Sequence, residues 1–147
     1  MKKILVLLSL IASPALAQTG EQTAVRATID RMFDGMRKID TVQFRSVFAP
    51  GATLRSIGKN KEGITGVQIT PIPAFIAAIG KQKPGALDER LGGYDIKIDG
   101  DMAVAWTPYS FFLNGKQSHC GVNSFTLVKL SNEWKILSII DTRRVCQ

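Results

Sequence analysis

The last third of the chain contains three long apolar segments separated by two short turn sequences. Asn114-Gly115 and Ser131-Asn132 are dipeptides typical of tight hairpin turns, and they separate the segments 102–113, 116–130 and 134–143. Apolar and polar residues alternate imperfectly along these segments, as they do in strands with one face in the core. The pattern predicts a curved antiparallel sheet, and His119, the only histidine, lies in its middle strand.

The residues before this sheet predict helices. Between residues 21 and 39 apolar residues recur at three- and four-residue steps, the spacing of an amphipathic helix with one buried face. Asp40 and Gln43 have the spacing of a capping box that starts a short second helix, and a third helix is predicted between Thr70 and Gly80. The sequence therefore predicts an α+β fold, with about three N-terminal helices packed on a strongly curved antiparallel sheet.

The N-terminus has the pattern of an export signal. Lys2 and Lys3 precede a short apolar run, and Ala15-Leu16-Ala17 has the small-x-small form of a cleavage site. The run is too short to span a bilayer. We predict a cleaved signal peptide at 1–17 and a single domain at 18–147, periplasmic or secreted, with no membrane insertion after cleavage.

The charge of the mature chain argues against nucleic-acid binding. Loss of Lys2 and Lys3 leaves 17 basic residues against 12 acidic ones, a formal charge of +5. The basic residues form separate short groups, without the stripe and stacking aromatics of a nucleic-acid interface. We expect no nucleic-acid partner.

Cys120 and Cys146 are the only cysteines. In an exported protein such a pair first indicates a disulfide, which would close a loop of roughly 25 residues and contribute about 3 kcal/mol. The alternative is two free thiols, with Cys146 too near the end of the chain to pair. Because His119 and Cys120 are adjacent in a strand, they point to opposite faces and cannot bind one metal ion. We expect no metal and no cofactor.

The turns predict a register for the sheet. If each turn has two residues, Leu113 faces Lys116 and Leu130 faces Glu133, and pairing continues from there. One face then collects Trp106, Ser110, Phe112, His119, Asn123, Phe125, Ile136, Ser138, Ile140 and Arg144. The opposite face collects Tyr109, Phe111, Cys120, Val122, Val128, Leu137, Ile139, Asp141 and Arg143. A single β-bulge would exchange the polar sets, and Pro108 in mid-strand is a signal for one.

We predict that the first face lines a ligand cavity, because it mixes large apolar groups with a few polar ones. Trp106 and Phe112 would stack on a flat apolar ligand, with Ser110 and Asn123 as polar contacts. For each aromatic residue alone the alternative is ordinary core.

The second face carries further candidate ligand contacts. Asp141 and Arg143 share it with Tyr109, and an Asp141–Arg143 ion pair could present the arginine to an anionic ligand. The alternative is a structural ion pair near the end of the sheet.

Two stretches of the chain resemble a known superfamily. Asp40 opens a helix that leads into Phe48-Ala49-Pro50-Gly51-Ala52. The end block runs from His119-Cys120-Gly121-Val122 through Trp134-Lys135-Ile136-Leu137 to Asp141-Thr142-Arg143-Arg144. Both are similar to the nuclear-transport-factor-2-like superfamily, and the end block resembles its exported lumazine-binding or SnoaL-like branch. The resemblance covers essentially the whole mature chain.

This resemblance implies a cone of helices wrapped by a curved, cystatin-like sheet, with a cavity at the open end. Members are frequently dimers, so it also implies a homodimer. The superfamily includes ketosteroid isomerases, polyketide cyclases and dehydratases. Its isomerases use a tyrosine, but the first helix here has none and places Phe33 and Met36 at the inward positions. That departure argues against isomerase chemistry.

Three functions fit these residues. The function we predict is an exported domain that binds a small apolar or aromatic molecule, with no reaction assigned. The alternative is a cyclase, isomerase or dehydratase, in which His119 carries a proton and an acid of the first helix, Asp34 or Asp30, is its partner. His119 has a structural reading as well, hydrogen-bonded to Ser110 or Asn123. A third alternative is a dimerisation or interaction module that uses the outer face of the sheet.

Overall fold

The structure is a computed structural model that describes residues 14–147, with side chains described from Thr19 onward. Most of the predicted signal peptide, 1–17, lies outside the described residues and stays a prediction. The helices are α1 (Pro14–Lys38), α2 (Thr41–Ser46) and α3 (Ile72–Ile79). The strands are β1 (Phe48–Lys59), β2 (Thr65–Pro71), β3 (Leu87–Leu91), β4 (Asp95–Asp99), β5 (Met102–Leu113), β6 (Lys116–Leu130) and β7 (Glu133–Thr142).

Helix α1 is amphipathic as predicted. Its apolar stripe is buried against the sheet and consists of Val25, Ile29, Met32, Phe33 and Met36. The helix ends at Lys38, and Asp40 caps α2 by accepting a hydrogen bond of 2.9 Å from the backbone N–H of Gln43. No helix within residues 14–147 combines the length and the apolar character that crossing a membrane requires.

The sheet has seven strands, and it is mixed. Its order is β2-β1-β7-β6-β5-β3, and β4 also pairs with β5. The β1–β7 pairing is parallel, whereas the other pairings are antiparallel. The prediction of a purely antiparallel sheet was therefore wrong. The reason is that β1 returns to the centre of the sheet beside the last strand, and this long-range pairing leaves no local pattern in the sequence.

Strands β2 and β3 have only weak signals in the sequence. Strand β2 overlaps the predicted start of the third helix at Thr70, and its residues are almost all exposed. Strand β3 has the sequence Leu-Asp-Glu-Arg-Leu, whose three consecutive charged residues conceal a half-buried strand. Both strands lie at the ends of the sheet order, where one edge has no neighbouring strand.

Two bulges change the register that the turns predict. Leu113 pairs with Lys116 and Phe112 with Gln117, but the next pair is Phe111 with His119, so Ser118 is an extra residue. In the second hairpin Leu127 pairs with Ile136, and the next pair is Thr126 with Ser138, so Leu137 is extra. Each bulge reverses the inward or outward direction of the residues that follow it.

As a result, the predicted faces are only partly correct. The concave face combines Tyr109 and Phe111 from one predicted set with His119, Asn123 and Phe125 from the other. The concave face also includes Ile139, Asp141 and Arg143, which follow the second bulge in the chain. Phe33 of α1 packs edge-on against Phe125, with ring centroids 6.2 Å apart.

The end of the chain is fastened to the middle of β6. Cys120 and Cys146 form a disulfide, and Cys120 and Arg144 exchange backbone hydrogen bonds of 3.0 and 2.9 Å. Next to Cys120, Gly121 lies beneath the ring of Tyr109, whose hydroxyl donates a 2.9 Å hydrogen bond to the backbone oxygen of Thr142.

Gly121 leaves no room for a side chain. A Cβ atom there would lie 1.8 Å from the backbone oxygen of Thr142 and 2.7 Å from Tyr109 Cε1. We expect Gly121→Ala to lower the free energy of unfolding by about 3 kcal/mol, because the clash involves backbone and a buried ring. Urea denaturation would measure this. Gly66→Ala is the matched control, since nothing lies within 4 Å of its Cβ position, and an equal effect of both variants would contradict the packing argument.

Candidate functional site

An apolar chamber lies between the helices and the concave face of the sheet. Its volume is about 140 Å³. The apolar walls are Met32, Phe33, Met36, Leu54, Phe75, Leu87, Phe111, Phe125 and Ile139. The polar groups are Glu89, Tyr109, His119, Asn123, Asp141 and Arg143. A cavity of about 150 Å³ is known to hold benzene, so this chamber encloses about one six-membered ring.

Glu89 is the acid that strand β3 brings to the chamber. Its Oε1 accepts a 2.7 Å hydrogen bond from Asn123 Nδ2. Burial raises the pKa of Glu89 from 4.5 to about 7; the Asn123 hydrogen bond and Arg143 oppose the rise, while the nearby Asp141 adds to it. Glu89 can therefore be either neutral or ionised near neutral pH, and either gain or lose a proton there.

Asp141 is a second acid on the chamber wall, and it is 8% exposed. Its Oδ2 accepts a 3.0 Å hydrogen bond from the hydroxyl of Ser56, and its Oδ1 lies 3.6 Å from Arg143 Nε. Among the described residues, none donates a hydrogen bond to the buried Oδ1. A buried carboxylate oxygen without a donor is costly, so this atom is a ready acceptor for a group that enters the chamber.

His119 lies between two aromatic rings. Its ring centroid is 5.7 Å from that of Tyr109 and 5.0 Å from that of Phe111, and Nδ1 lies 3.1 Å from the hydroxyl of Ser118. Burial lowers the pKa of His119, Arg143 lowers it further, and Asp141 partly offsets this. The imidazole is therefore neutral at neutral pH, and it can both donate and accept a hydrogen bond.

The tyrosine of the chamber has its hydroxyl proton already engaged. Tyr109 donates to the backbone oxygen of Thr142, and burial raises its pKa. It therefore remains a neutral phenol at physiological pH. Its ring packs between Gly121 and His119 and forms part of the wall.

The structure brings together five of the residues predicted for the site and separates the others. His119, Asn123, Tyr109, Asp141 and Arg143 all line the chamber. Trp106 and Phe112, predicted to stack on a ligand, do not line it, because the bulge at Ser118 moves the β5–β6 register by one residue.

The two aromatic residues and Ser110 lie on the outer face. Trp106 is 52% exposed, and Phe112 lies under the guanidinium of Arg90, 4.1 Å from ring centroid to Cζ. Ser110 lies beside the disulfide, with its hydroxyl 3.3 Å from Cys120 Sγ. The predicted stacking role of Trp106 and Phe112 in the cavity was therefore wrong.

The acids of α1 also lie outside the chamber. Asp34 is ion-paired with Arg37 at 2.8 Å, and Asp30 accepts a hydrogen bond from the hydroxyl of Tyr94. Neither is positioned to partner His119. The acid that shares the chamber with His119 and that the sequence analysis missed is Glu89. The alternation of Leu87, Glu89 and Leu91 was the one signal that could have shown it facing inward.

Within residues 14–147, no three histidine, cysteine, aspartate or glutamate side chains converge in a way that could hold a metal ion. The polar groups of the chamber can form hydrogen bonds, and Glu89 and His119 can also transfer a proton. They can bind the polar edge of an organic molecule, or move a proton on it.

Comparison with known proteins supports this architecture. Residues 20–140 match the family described as "Putative lumazine-binding". Comparison with curated proteins gave no match.

Solved structures show the same fold at low sequence identity. A protein of unknown function from Mycobacterium tuberculosis has a TM-score of 0.72 at 15% identity, covering 90% of this chain and 76% of its own. An NTF2-like protein of unknown function from Shewanella baltica has a TM-score of 0.64 at 18% identity, and the match covers 87% of this chain and 97% of that protein. A protein described as a putative dehydratase of the NTF2-like family, from Streptomyces avermitilis, has a TM-score of 0.68 at 10% identity, and the match covers 88% of this chain and 99% of that protein. At these identities the likeness shows the fold alone.

The raised pKa of Glu89 predicts a pH dependence of stability. The folded protein holds this proton up to about pH 7, whereas the unfolded chain loses it near pH 4.5. The neutral form of Glu89 stabilises the fold fully below the pKa of 4.5 in the unfolded chain. This stabilisation, at most about 3 kcal/mol, is lost as the pH rises through the folded-state pKa of about 7. As the pH rises from about 5 to 8, we expect the free energy of unfolding to fall less for the Glu89→Gln variant than for the wild type, measured by urea denaturation.

Comparing Glu89→Gln with the wild type isolates the effect of Glu89, because both proteins retain His119. The lowered pKa of His119 gives the free energy of unfolding the opposite pH dependence. Glu62→Gln is the control, because Glu62 is exposed in the β1–β2 loop. A Glu89→Gln profile that parallels the wild type would contradict the placement of Glu89 in an apolar environment.

Proposed function

Because the chain belongs to the family described as "Putative lumazine-binding", within the nuclear-transport-factor-2-like superfamily, we propose a ligand-binding function. The protein binds a small planar molecule in its chamber. The ligand carries N–H or O–H donors on one edge. Its flat faces contact the apolar walls, and its donors meet the acceptors on the concave face of the sheet.

The observation that carries this proposal is the free acceptor on Asp141. Oδ1 is buried beside the chamber and has no hydrogen-bond donor among the described residues. A ligand that supplies one N–H or O–H there relieves the cost of the unmade bond, whereas a purely apolar ligand does not. Glu89 and neutral His119 offer further acceptors along the same wall.

Lumazine, the compound in the family's name, has the chemistry that this wall would recognise. It is a flat two-ring heteroaromatic molecule with ring N–H groups. The chamber volume of about 140 Å³ encloses about one ring. We infer that the ring bearing the N–H groups enters the chamber, and that the other ring lies at its opening beside His119 and Arg143.

The location that we propose for this activity is the periplasm or the cell exterior. The export pattern of residues 1–17 is the basis of this proposal. The disulfide between Cys120 and Cys146 supports it, because disulfides persist in oxidising compartments.

Proton transfer is a second candidate function, and Glu89 is the observation that favours it. A carboxyl group with a pKa of about 7 in an apolar chamber is suited to act as a general base or acid near neutral pH. His119 shares the chamber as a neutral imidazole. In this version of the cyclase, isomerase or dehydratase hypothesis, Glu89 takes the role that the sequence analysis gave to Asp34.

The ligand proposal predicts a preference for lumazine over 1,3-dimethyllumazine, whose ring N–H groups are methylated. Isothermal titration calorimetry should show binding of lumazine and at least about tenfold weaker binding of the dimethyl compound. Asp141→Asn should weaken lumazine binding by about tenfold, because it replaces a carboxyl acceptor by an amide whose NH₂ group can only donate. Asp101→Asn, in the exposed β4–β5 turn, is the control. Absence of lumazine binding would overturn the pteridine ligand, and equal affinity of both compounds would overturn the role of Asp141.

The proton-transfer candidate predicts base catalysis on 5-nitrobenzisoxazole, a flat probe. Glu89 removes the C3 proton, the C–H electron pair forms a nitrile, and the N–O bond breaks to leave a coloured phenolate. The rate above that in buffer should rise as the pH passes about 7, where Glu89 ionises. Glu89→Gln should lower this rate at least about tenfold, while Glu62→Gln retains it. Equal rates for Glu89→Gln and the wild type would exclude Glu89 as the base.

A further inference from the structure

An open groove adjoins the chamber on the outside of the molecule. It has a volume of about 630 Å³ and lies between the end of β1, the start of β6 and the C-terminal segment after β7. His119 and Arg143 line both the groove and the chamber. The side chains of these two residues thus form the boundary that the chamber and the groove share.

The charged side chains that line the groove all carry the same sign. They are Lys59, Arg143 and Arg144. Arg143 is the ion-pair partner of Asp141 on the chamber side. Within residues 14–147, no acidic side chain lies within ion-pair distance of Lys59 or Arg144, and both are exposed. The hydroxyls of Thr65 and Ser118 add uncharged donors to the same groove.

The chamber and the groove therefore differ in polarity. Inside, the carboxyl groups of Glu89 and Asp141 disfavour an anion. In the groove, the unpaired cations Lys59 and Arg144 favour an anion, and so does Arg143, which lines both the groove and the chamber. We propose that the ligand is an aromatic molecule with an anionic substituent such as a carboxylate, whose ring occupies the chamber and whose anion lies in the groove near Lys59 and Arg144. This inference rests on the proposed function, because it requires the ring in the chamber.

The backbone of the two arginines in the groove is held in place by covalent and hydrogen-bond contacts. The disulfide of Cys146 with Cys120 and the paired backbone hydrogen bonds between Cys120 and Arg144 fix the C-terminal segment on β6. On the other side, the backbone N–H of Arg143 donates a 2.9 Å hydrogen bond to the backbone oxygen of Ile57 in β1. The backbone that carries these arginines is therefore ordered before any ligand arrives, which lowers the entropic cost of binding an anion.

A matched pair of single-ring probes tests the inference. In 3-(4-hydroxyphenyl)propanoate and 3-(4-hydroxyphenyl)propan-1-ol the same phenol can donate to Asp141, and only the acid carries a charge at the other end. Calorimetry with the full mature chain should show the acid binding about three- to tenfold more tightly than the alcohol at low ionic strength. Salt at about 0.5 M should remove most of this preference.

Variants locate the charge effect. Lys59→Gln combined with Arg144→Gln should reduce the preference for the acid to less than about twofold. Lys81→Gln combined with Lys83→Gln removes the same net charge from the α3–β3 loop, which is exposed and lines neither cavity, and should leave the preference intact. The salt dependence in the wild type provides the same test without a substitution.

The outcomes separate this inference from the proposed function. If both probes bind and Asp141→Asn weakens both, but the acid has no advantage, the anionic substituent is wrong and the chamber ligand stands. If the acid binds as well to Asp141→Asn as to the wild type, its ring is not in the chamber and the inference is overturned. If neither probe binds but lumazine does, the inference is overturned and the chamber ligand stands; if lumazine does not bind either, both fail.

Discussion

The site depends on two extra residues in the hairpins, Ser118 and Leu137. Each is a bulge, and each moves the strand register by one position. Because side chains alternate between the faces of a sheet, these single insertions decide which residues face the helices. Without the second bulge, Asp141 and Arg143 would point away from the chamber. The polar wall therefore follows from local irregularities in an otherwise continuous pair of hairpins.

The chamber also places acids where the sheet and α1 provide mostly apolar surroundings. Burial raises the pKa of Glu89 to about 7, so part of the stability of the fold depends on a proton that the unfolded chain would release. Asp141 has a different environment, with a hydroxyl donor at 3.0 Å and a guanidinium at 3.6 Å. The two carboxyl groups in this small space thus have different hydrogen-bond partners, which suits either selective binding of donors or, at Glu89, proton transfer.

The C-terminal segment contributes to both structure and chemistry. The disulfide and the packing of Tyr109 over Gly121 fasten residues after β7 to the centre of β6. The same segment carries Arg143 to the opening of the chamber and Arg144 into the outer groove. A chain end would normally be the least ordered part of a domain. Here the cross-link and the backbone bonds make it a fixed part of the candidate site.

The sequence by itself determined the amphipathic first helix, the capped second helix, the three long C-terminal strands and the superfamily, because each of these is written in local periodicity, turn residues and short motifs. It also indicated His119, Asn123, Tyr109, Asp141 and Arg143 as candidate site residues. Only the tertiary structure decided which of them meet. The parallel β1–β7 pairing and the position of the charged strand β3, which carries Glu89, depend on contacts between residues far apart in the chain. Such contacts leave no period in the sequence. The two bulges lie within the hairpins, but the turn dipeptides do not reveal them, and a shift of one residue is enough to exchange Trp106 and Phe112 for Tyr109 and Phe111.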